Sequence, residues 1–194
     1  MLVINILMKN IMVALVLIFF APLAHSIQKS GVYLDQQVTF EKGEVLHLNG
    51  AGLRQELWIK LYVGSLYLAD KNSNVIDILS NSSAYRLQMD FVYHEVTHTK
   101  LLNGWREGFK KNQDEETMRK LKNEIEQFYS YFNKNAVKGD RYRLDYIPGT
   151  GTKIIKNKVL LGIIPSVDFK NILLEIWLGN FPIDSGLKKD LLGL

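Results

Sequence analysis

The chain has 194 residues, with 24 Lys and Arg against 20 Asp and Glu, 47% hydrophobic residues and no cysteine. That balance describes a globular chain of about one domain's length and excludes disordered, collagen-like and coiled-coil classes. The missing cysteines exclude a disulfide framework, a thiol nucleophile, Cys-ligated metal and a redox dithiol, and a net charge of +4, dispersed along the chain, makes no case for nucleic acid.

Ile11 to Phe20 is an unbroken apolar run, preceded by Lys9 and followed by Pro22 and the small-residue pattern Ala24-His25-Ser26. A cationic start, a short apolar stretch and an A-x-S site predict a secretory signal peptide over residues 1–26. The run is short of the roughly 20 apolar residues a membrane span needs, although left uncleaved it would act as an anchor. Met8-Lys9-Asn10 makes a tighter cationic start than Met1, so translation from Met8 fits the same pattern. Residues 27–194 are then one exported domain, periplasmic or secreted, with no membrane span after cleavage.

Val32 to Phe40 reads as a strand that turns at Glu41-Lys42-Gly43, and Glu44 to Asn49 as a second strand that Gly50-Ala51-Gly52 breaks. Leu57 to Ala69 is a long strand in which Trp58, Lys60, Tyr62 and Gly64 share one face, with a kink expected at Gly64. Val75 to Leu79 is a helical turn. Tyr85 to Tyr93 alternates, with Tyr85, Leu87, Met89, Phe91 and Tyr93 on one face, and predicts a half-buried strand. Thr97 or Thr99 caps a helix with the stripe Leu101, Leu102, Trp105, Phe109. A second helix runs from Asp114 to about Asn133 on Met118, Leu121, Ile125, Phe128 and Phe132. Strands return at Asp140–Ile147, Lys153–Lys156 and Val159–Ile163. A helix over Asp168–Leu178 ends at Gly179, and Ser185 caps a last short helix ending at Gly193. Strands first and helices after predict an α+β domain: a mostly antiparallel sheet with helices on one face.

His94-Glu95-Val96-Thr97-His98 matches H-E-x-x-H, which binds zinc when a helix brings both imidazoles to one face and the Glu activates the metal-bound water. The strand alternation runs to Tyr93, so the five residues fall at a strand–helix corner, and a zinc peptidase is the weaker reading there. No metal is expected. No G-x-S-x-G elbow occurs, and Gly149-x-Gly151 lies between strands, not before a helix. Arg54, just before the most hydrophobic strand, is either a surface residue at a hairpin corner or a cation facing inward that needs an anionic partner.

Gly50-Ala-Gly-Leu-Arg54 followed by Lys60-Leu-Tyr-Val-Gly-Ser-Leu-Tyr-Leu68 resembles the chalcone isomerase superfamily and is similar in particular to its exported bacterial chalcone-isomerase-like branch. Phe91-Val-Tyr-His-Glu-Val96, Tyr146-Ile-Pro-Gly-Thr-Gly-Thr152 and Leu174-Glu-Ile-Trp-Leu-Gly179 extend the likeness over roughly Gly31 to Gly193. The resemblance implies an open-faced β-sandwich, a large antiparallel sheet with a layer of helices, and a ligand cleft between them. It implies that Arg54 holds an anion or oxyanion and that Tyr62 stands at a strand position where the plant enzymes carry a threonine. The positions of their catalytic tyrosine, asparagine and late Thr/Ser fall near Leu101, near Gly108 and at Ile176. With the anion holder kept and its polar partners replaced, the expected function is non-catalytic binding of a small apolar anion such as a fatty acid, without cofactor, by Arg54 and Tyr62. Trp58, Leu101, Trp105, Ile176 and Trp177 either line the tail pocket or belong to the core. The alternative is an isomerase or lyase closing an enone ring with Arg54 as oxyanion holder.

Overall fold

Period-two alternation builds the sheet and 3.6-period stripes build the helices laid on it. The computed structural model describes residues 26–40 and 43–194. Residues 1–25 of the expected signal peptide and the Glu41-Lys42 of the expected turn lie outside the described residues. In chain order come β1 (Ser26–Lys29), β2 (Val32–Asp35), β3 (Gln37–Thr39), β4 (Val45–Glu56), β5 (Ile59–Leu68), α1 (Val75–Ser80), β6 (Tyr85–Phe91), β7 (Glu95–Val96) and α2 (His98–Asn112). They are followed by α3 (Glu115–Lys120), α4 (Lys122–Ser130), β8 (Ala136–Val137), β9 (Arg141–Ile147), β10 (Gly151–Lys156), β11 (Val159–Ile164), α5 (Val167–Leu178) and α6 (Ser185–Leu191). Seven strands form one antiparallel sheet in the order β11-β10-β9-β6-β5-β4-β3. The fold is α+β. Among the described residues no helix is long and apolar enough to cross a membrane.

The main core lies between the sheet and the helices. Leu66 and Leu87 from the strands meet Trp105 and Phe109 of α2, Phe128 of α4 and Phe169 and Trp177 of α5. Aromatic rings pack edge to face through its centre, with Trp105 5.3 Å from Phe128 and 5.5 Å from Trp177. A smaller core on the opposite face joins Val63, Tyr67, Leu46 and Leu48 to Leu34 of the β1–β2 hairpin and to Phe40.

Five expectations change. Gly50-Ala51-Gly52 does not break the strand, because β4 runs through it beneath α6. A Cβ on Gly50 would stand 2.1 Å from the Asp190 carbonyl oxygen, and one on Gly52 2.5 Å from Asp190 Cβ. The glycines admit a helix instead of ending a strand. The β6 strand is buried on both faces, not half-buried. Its polar residues find cross-strand partners: Arg86 clasps Asp145 through two hydrogen bonds of 2.7 Å, and Arg141 pairs with Asp90 at 2.5 Å. The helix expected over Asp114–Asn133 breaks at Leu121, where φ/ψ of −102°/21° lets α4 turn into the core while α3 buries nothing. The cap of α6 is Asp184, whose Oδ1 accepts from Leu187 N at 2.9 Å, and not Ser185. Strand β5 carries no break at Gly64. The irregularities in its pairing with β4 fall between Leu48 and Gly50 and between Arg54 and Gln55.

Candidate functional site: an arginine-ended cleft between sheet and helix α2

The β4–β5 register sets Arg54 directly opposite Tyr62, and β5–β6 sets Tyr62 opposite Phe91. Above them α2 presents Leu101, Trp105 and Gly108, and the segment between α5 and α6 presents Phe181 and Ile183. The space enclosed is a cleft of about 480 Å³, within the roughly 300–1,000 Å³ of small-molecule sites. Its apolar wall is Leu61, Met89, Phe91, Val96, Leu101 and Trp105.

Arg54 supplies the charge. Its side chain is only 16% exposed and lies 3.4 Å from Asp184 Oδ2. Nη1 also donates to the neighbouring Gln55 carbonyl, while Nε is buried with no acceptor among the described residues. Asp184 reaches the arginine because α6 lies on the glycine strip of β4 and β5, with Leu187 against Gly52 and Gly64. Tyr62 is buried beside it, and its hydroxyl accepts a 3.0 Å hydrogen bond from Trp177 Nε1. Burial pushes the Tyr62 phenol up to about 12, against smaller opposing pulls from Trp177 and Arg54. At neutral pH it is therefore a neutral hydroxyl whose own proton is free to donate. Trp105 Nε1, on the cleft wall, is a second buried donor with no acceptor among the described residues. At the rim, Lys100 pairs with Glu56 at 2.7 Å and Lys111 with Glu107 at 3.4 Å. The Lys100 hydrogen bond holds the Glu56 carboxyl below its ordinary range.

The sequence-predicted pair is thus brought together: Arg54 and Tyr62 line one cleft. Leu101 and Trp105 line it as expected, but Ile176 and Trp177 are core residues behind it. Ile176 fills the space over Gly108, where a Cβ would stand 2.7 Å from Ile176 Cγ2. Trp58 does not line the cleft. It sits at the tip of the β4–β5 hairpin, 84% exposed. Asp184, Lys100, Glu56 and Phe181 were not anticipated. Asp184 had a signal, since an aspartate just ahead of an apolar helical stripe is a cap candidate.

The H-E-x-x-H residues fall on different elements. Glu95 and Val96 form β7, Thr97 caps α2 by accepting from Lys100 N at 3.3 Å, and His98 is the first helical residue. The His94 ring lies tilted against Tyr93 with centroids 4.2 Å apart, His98 contacts Asn135 at 3.4 Å, and Glu95 accepts from Asn135 Nδ2. The two imidazoles therefore do not share a helical face. Among the described residues no group of three His, Cys, Asp or Glu side chains could hold a metal ion.

An antiparallel sheet with helices on one face and a cation-ended cleft beneath them thus defines the fold and its candidate site. The family described as chalcone isomerase-like matches residues 26–193, and the chain belongs to it. Among solved structures it is similar to the crystal structure of an Arabidopsis thaliana fatty-acid binding protein, with a TM-score of 0.68 and 17% identity over 87% of this chain and 96% of that one. At that identity the likeness is one of fold. No curated protein sequence matches the chain.

Proposed function

We propose that this protein is an exported, non-catalytic member of the chalcone isomerase-like family that holds a small apolar anion, such as a fatty acid, in the Arg54 cleft. The observation that carries the reading is a largely buried guanidinium, one of its donors unpartnered, at an apolar cleft of about 480 Å³. A carboxylate there gains charge-assisted hydrogen bonds from Arg54 and from the neutral Tyr62 hydroxyl, while the tail gains from leaving water along Leu61, Met89, Phe91 and Leu101. The fatty-acid binding protein with the same fold supports the ligand class. Against ring closure stand Leu101, Gly108 and Ile176, which offer no hydroxyl or amide where the resemblance places catalytic partners.

Export rests on Lys9, the Ile11–Phe20 run and Ala24-His25-Ser26, and the family match leaves residues 1–25 outside it. Fusing residues 1–26 to a reporter active only outside the cytoplasm tests it.

Native mass spectrometry and thermal shift against fatty acids and the corresponding neutral alcohols test the ligand class. The expected result is a bound acid, a raised Tm and at least tenfold weaker alcohol binding, with the preference lost in Arg54→Ala. No bound acid, or an unchanged preference in Arg54→Ala, would overturn the proposal. Loss of chalcone absorbance that depends on Arg54 would replace it with the isomerase reading.

A further inference from the structure

Trp58 is 84% exposed and Leu57 before it 78% exposed, at the tip of the hairpin whose strands carry Arg54 and Tyr62 close by. The protein's other tryptophans, Trp105 and Trp177, are 4% and 1% exposed. Leu57 takes φ of +57°, the left-handed region, which side chains with a branched or bulky body enter at a cost. Glycine or asparagine would close the same turn without that strain and without presenting hydrocarbon to water. Both features of the tip therefore oppose the stability and solubility of the isolated chain, which points to a role outside it.

The tip adjoins the cleft mouth. Glu56, immediately before Leu57, lines the cleft and pairs with Lys100. Phe181, 63% exposed, lines it too and is held by Asn112, which donates to the Phe181 carbonyl and accepts from its N–H, both at 3.0 Å. The cations Arg54, Lys100 and Lys111 each have a carboxylate at the rim. Lys60, on the same hairpin and exposed, has no carboxylate within 4 Å among the described residues, and residues 27–194, without Lys9, keep a cationic balance of 23 Lys and Arg against 20 Asp and Glu.

We infer that the Leu57-Trp58 tip docks the cleft mouth onto an anionic lipid bilayer, so that an apolar anion passes between the lipid and the Arg54 cleft. Two side chains bury far too little area for a stable protein interface, which needs roughly 1,000 Å² or more. A tryptophan beside an aliphatic residue and a free lysine is instead the composition of an interfacial membrane anchor. The ring fits the headgroup boundary, and the lysine and net charge complement anionic lipid. The transfer half of the inference rests on the ligand proposed above, whereas the docking half stands on the tip alone.

The test titrates the purified protein with vesicles of phosphatidylcholine alone or mixed with phosphatidylglycerol, with brominated acyl chains. Because Trp58 is the exposed tryptophan, bromine quenching and a blue shift report that residue. The expected result is quenching on the anionic vesicles, at least tenfold weaker binding to the neutral ones, and at least tenfold less co-sedimentation for Trp58→Ala and Leu57→Asn. Asparagine accepts the left-handed turn, so Leu57→Asn folds, and its vesicle-free fatty-acid affinity stays that of the wild type. Absence of quenching, equal binding to both vesicles, or undiminished co-sedimentation of both variants would overturn the inference. So would a vesicle-free dimer that Trp58→Ala dissolves, which would make a second copy the occupant of the tip. Quenching without any fatty-acid binding in buffer would leave docking standing and remove the transfer half with the ligand reading.

Discussion

On the proposed reading Asp184 competes with the ligand for Arg54, and removing its charge should tighten binding. In Asp184→Asn the retained Oδ1 still caps α6 at Leu187 N, while the carboxylate 3.4 Å from Arg54 becomes a neutral amide. A ligand carboxylate on the same guanidinium would sit about 6 Å from Asp184, where like charges repel by ~0.7 kcal/mol in water and ~3 kcal/mol at an effective dielectric of 20. Arg54 and Asp184 side chains are 16% and 18% exposed, so the screening is intermediate. We expect about 1.4 kcal/mol, a tenfold gain in affinity. The new amide nitrogen faces Gln55 N–H, whose acceptor was Asp184 Oδ2 at 3.3 Å, and Arg54 loses its compensating charge, so the unliganded protein should lose about 1 kcal/mol for the first and up to several kcal/mol for the second. Isothermal titration with a fatty acid and its methyl ester separates the effects, because the ester carries no charge. A tenfold gain confined to the acid supports the reasoning. An equal gain for acid and ester, or no gain for either, refutes the assignment of Arg54 as the head-group site.

Tyr62→Phe removes the acceptor of Trp177 Nε1 and the hydroxyl beside Arg54. Chemical denaturation should show a loss of about 1–3 kcal/mol for the orphaned indole N–H, and acid binding should weaken while ester binding changes little. Lys170, 1% exposed, donates to the carbonyls of Leu79 at 3.2 Å and Asn81 at 2.7 Å, and burial lowers its pKa. The unfolded chain then binds more protons than the folded one between the lowered value and 10.5, so stability rises with pH across that window. Denaturation midpoints followed upward from pH 7 should show that rise in the wild type and lack its Lys170 component in Lys170→Met, which is also weaker at neutral pH for want of the two hydrogen bonds.

Much of the fold was legible because its signals are local. The Tyr85–Phe91 alternation, the Phe169–Trp177 stripe and the Thr97 cap each follow from spacings within a dozen residues. What escaped depends on residues far away in the chain. Gly50 and Gly52 carry the same sequence signal whether they end a strand or make room for a helix, and only α6, arriving about 140 residues later, decides. The unbroken stripe through Met118, Leu121 and Ile125 conceals the turn at Leu121, since the apolar face continues across it. Arg54 and Tyr62 were legible as a pair through the resemblance, and β4–β5 pairing places them opposite each other. Trp58 was misplaced because it shares a face with Tyr62 by parity, whereas the hairpin reverses between Glu56 and Ile59 and leaves it beyond the sheet's last pairing. In H-E-x-x-H the spacing is right and the secondary structure is wrong, which is sufficient to void the motif.

The two oxygens of Asp184 explain how an arginine can be both held and available. Oδ1 takes the α6 cap, and Oδ2 takes the long contacts to Arg54 and Gln55 N. A ligand carboxylate that draws Arg54 away therefore leaves the cap intact, and α6 keeps its seat on Gly50, Gly52 and Gly64. Without a ligand, the same carboxylate spares the guanidinium from being buried uncompensated, which would otherwise cost several kcal/mol. The contact is long at 3.4 Å, so little binding energy is lost when it is exchanged for a shorter, bidentate partner. A shorter clasp such as Arg86 with Asp145, at 2.7 Å on both branches, would stabilise the sheet but would not release its arginine. The described residues carry both kinds of arginine pair, and the loose one faces the cleft.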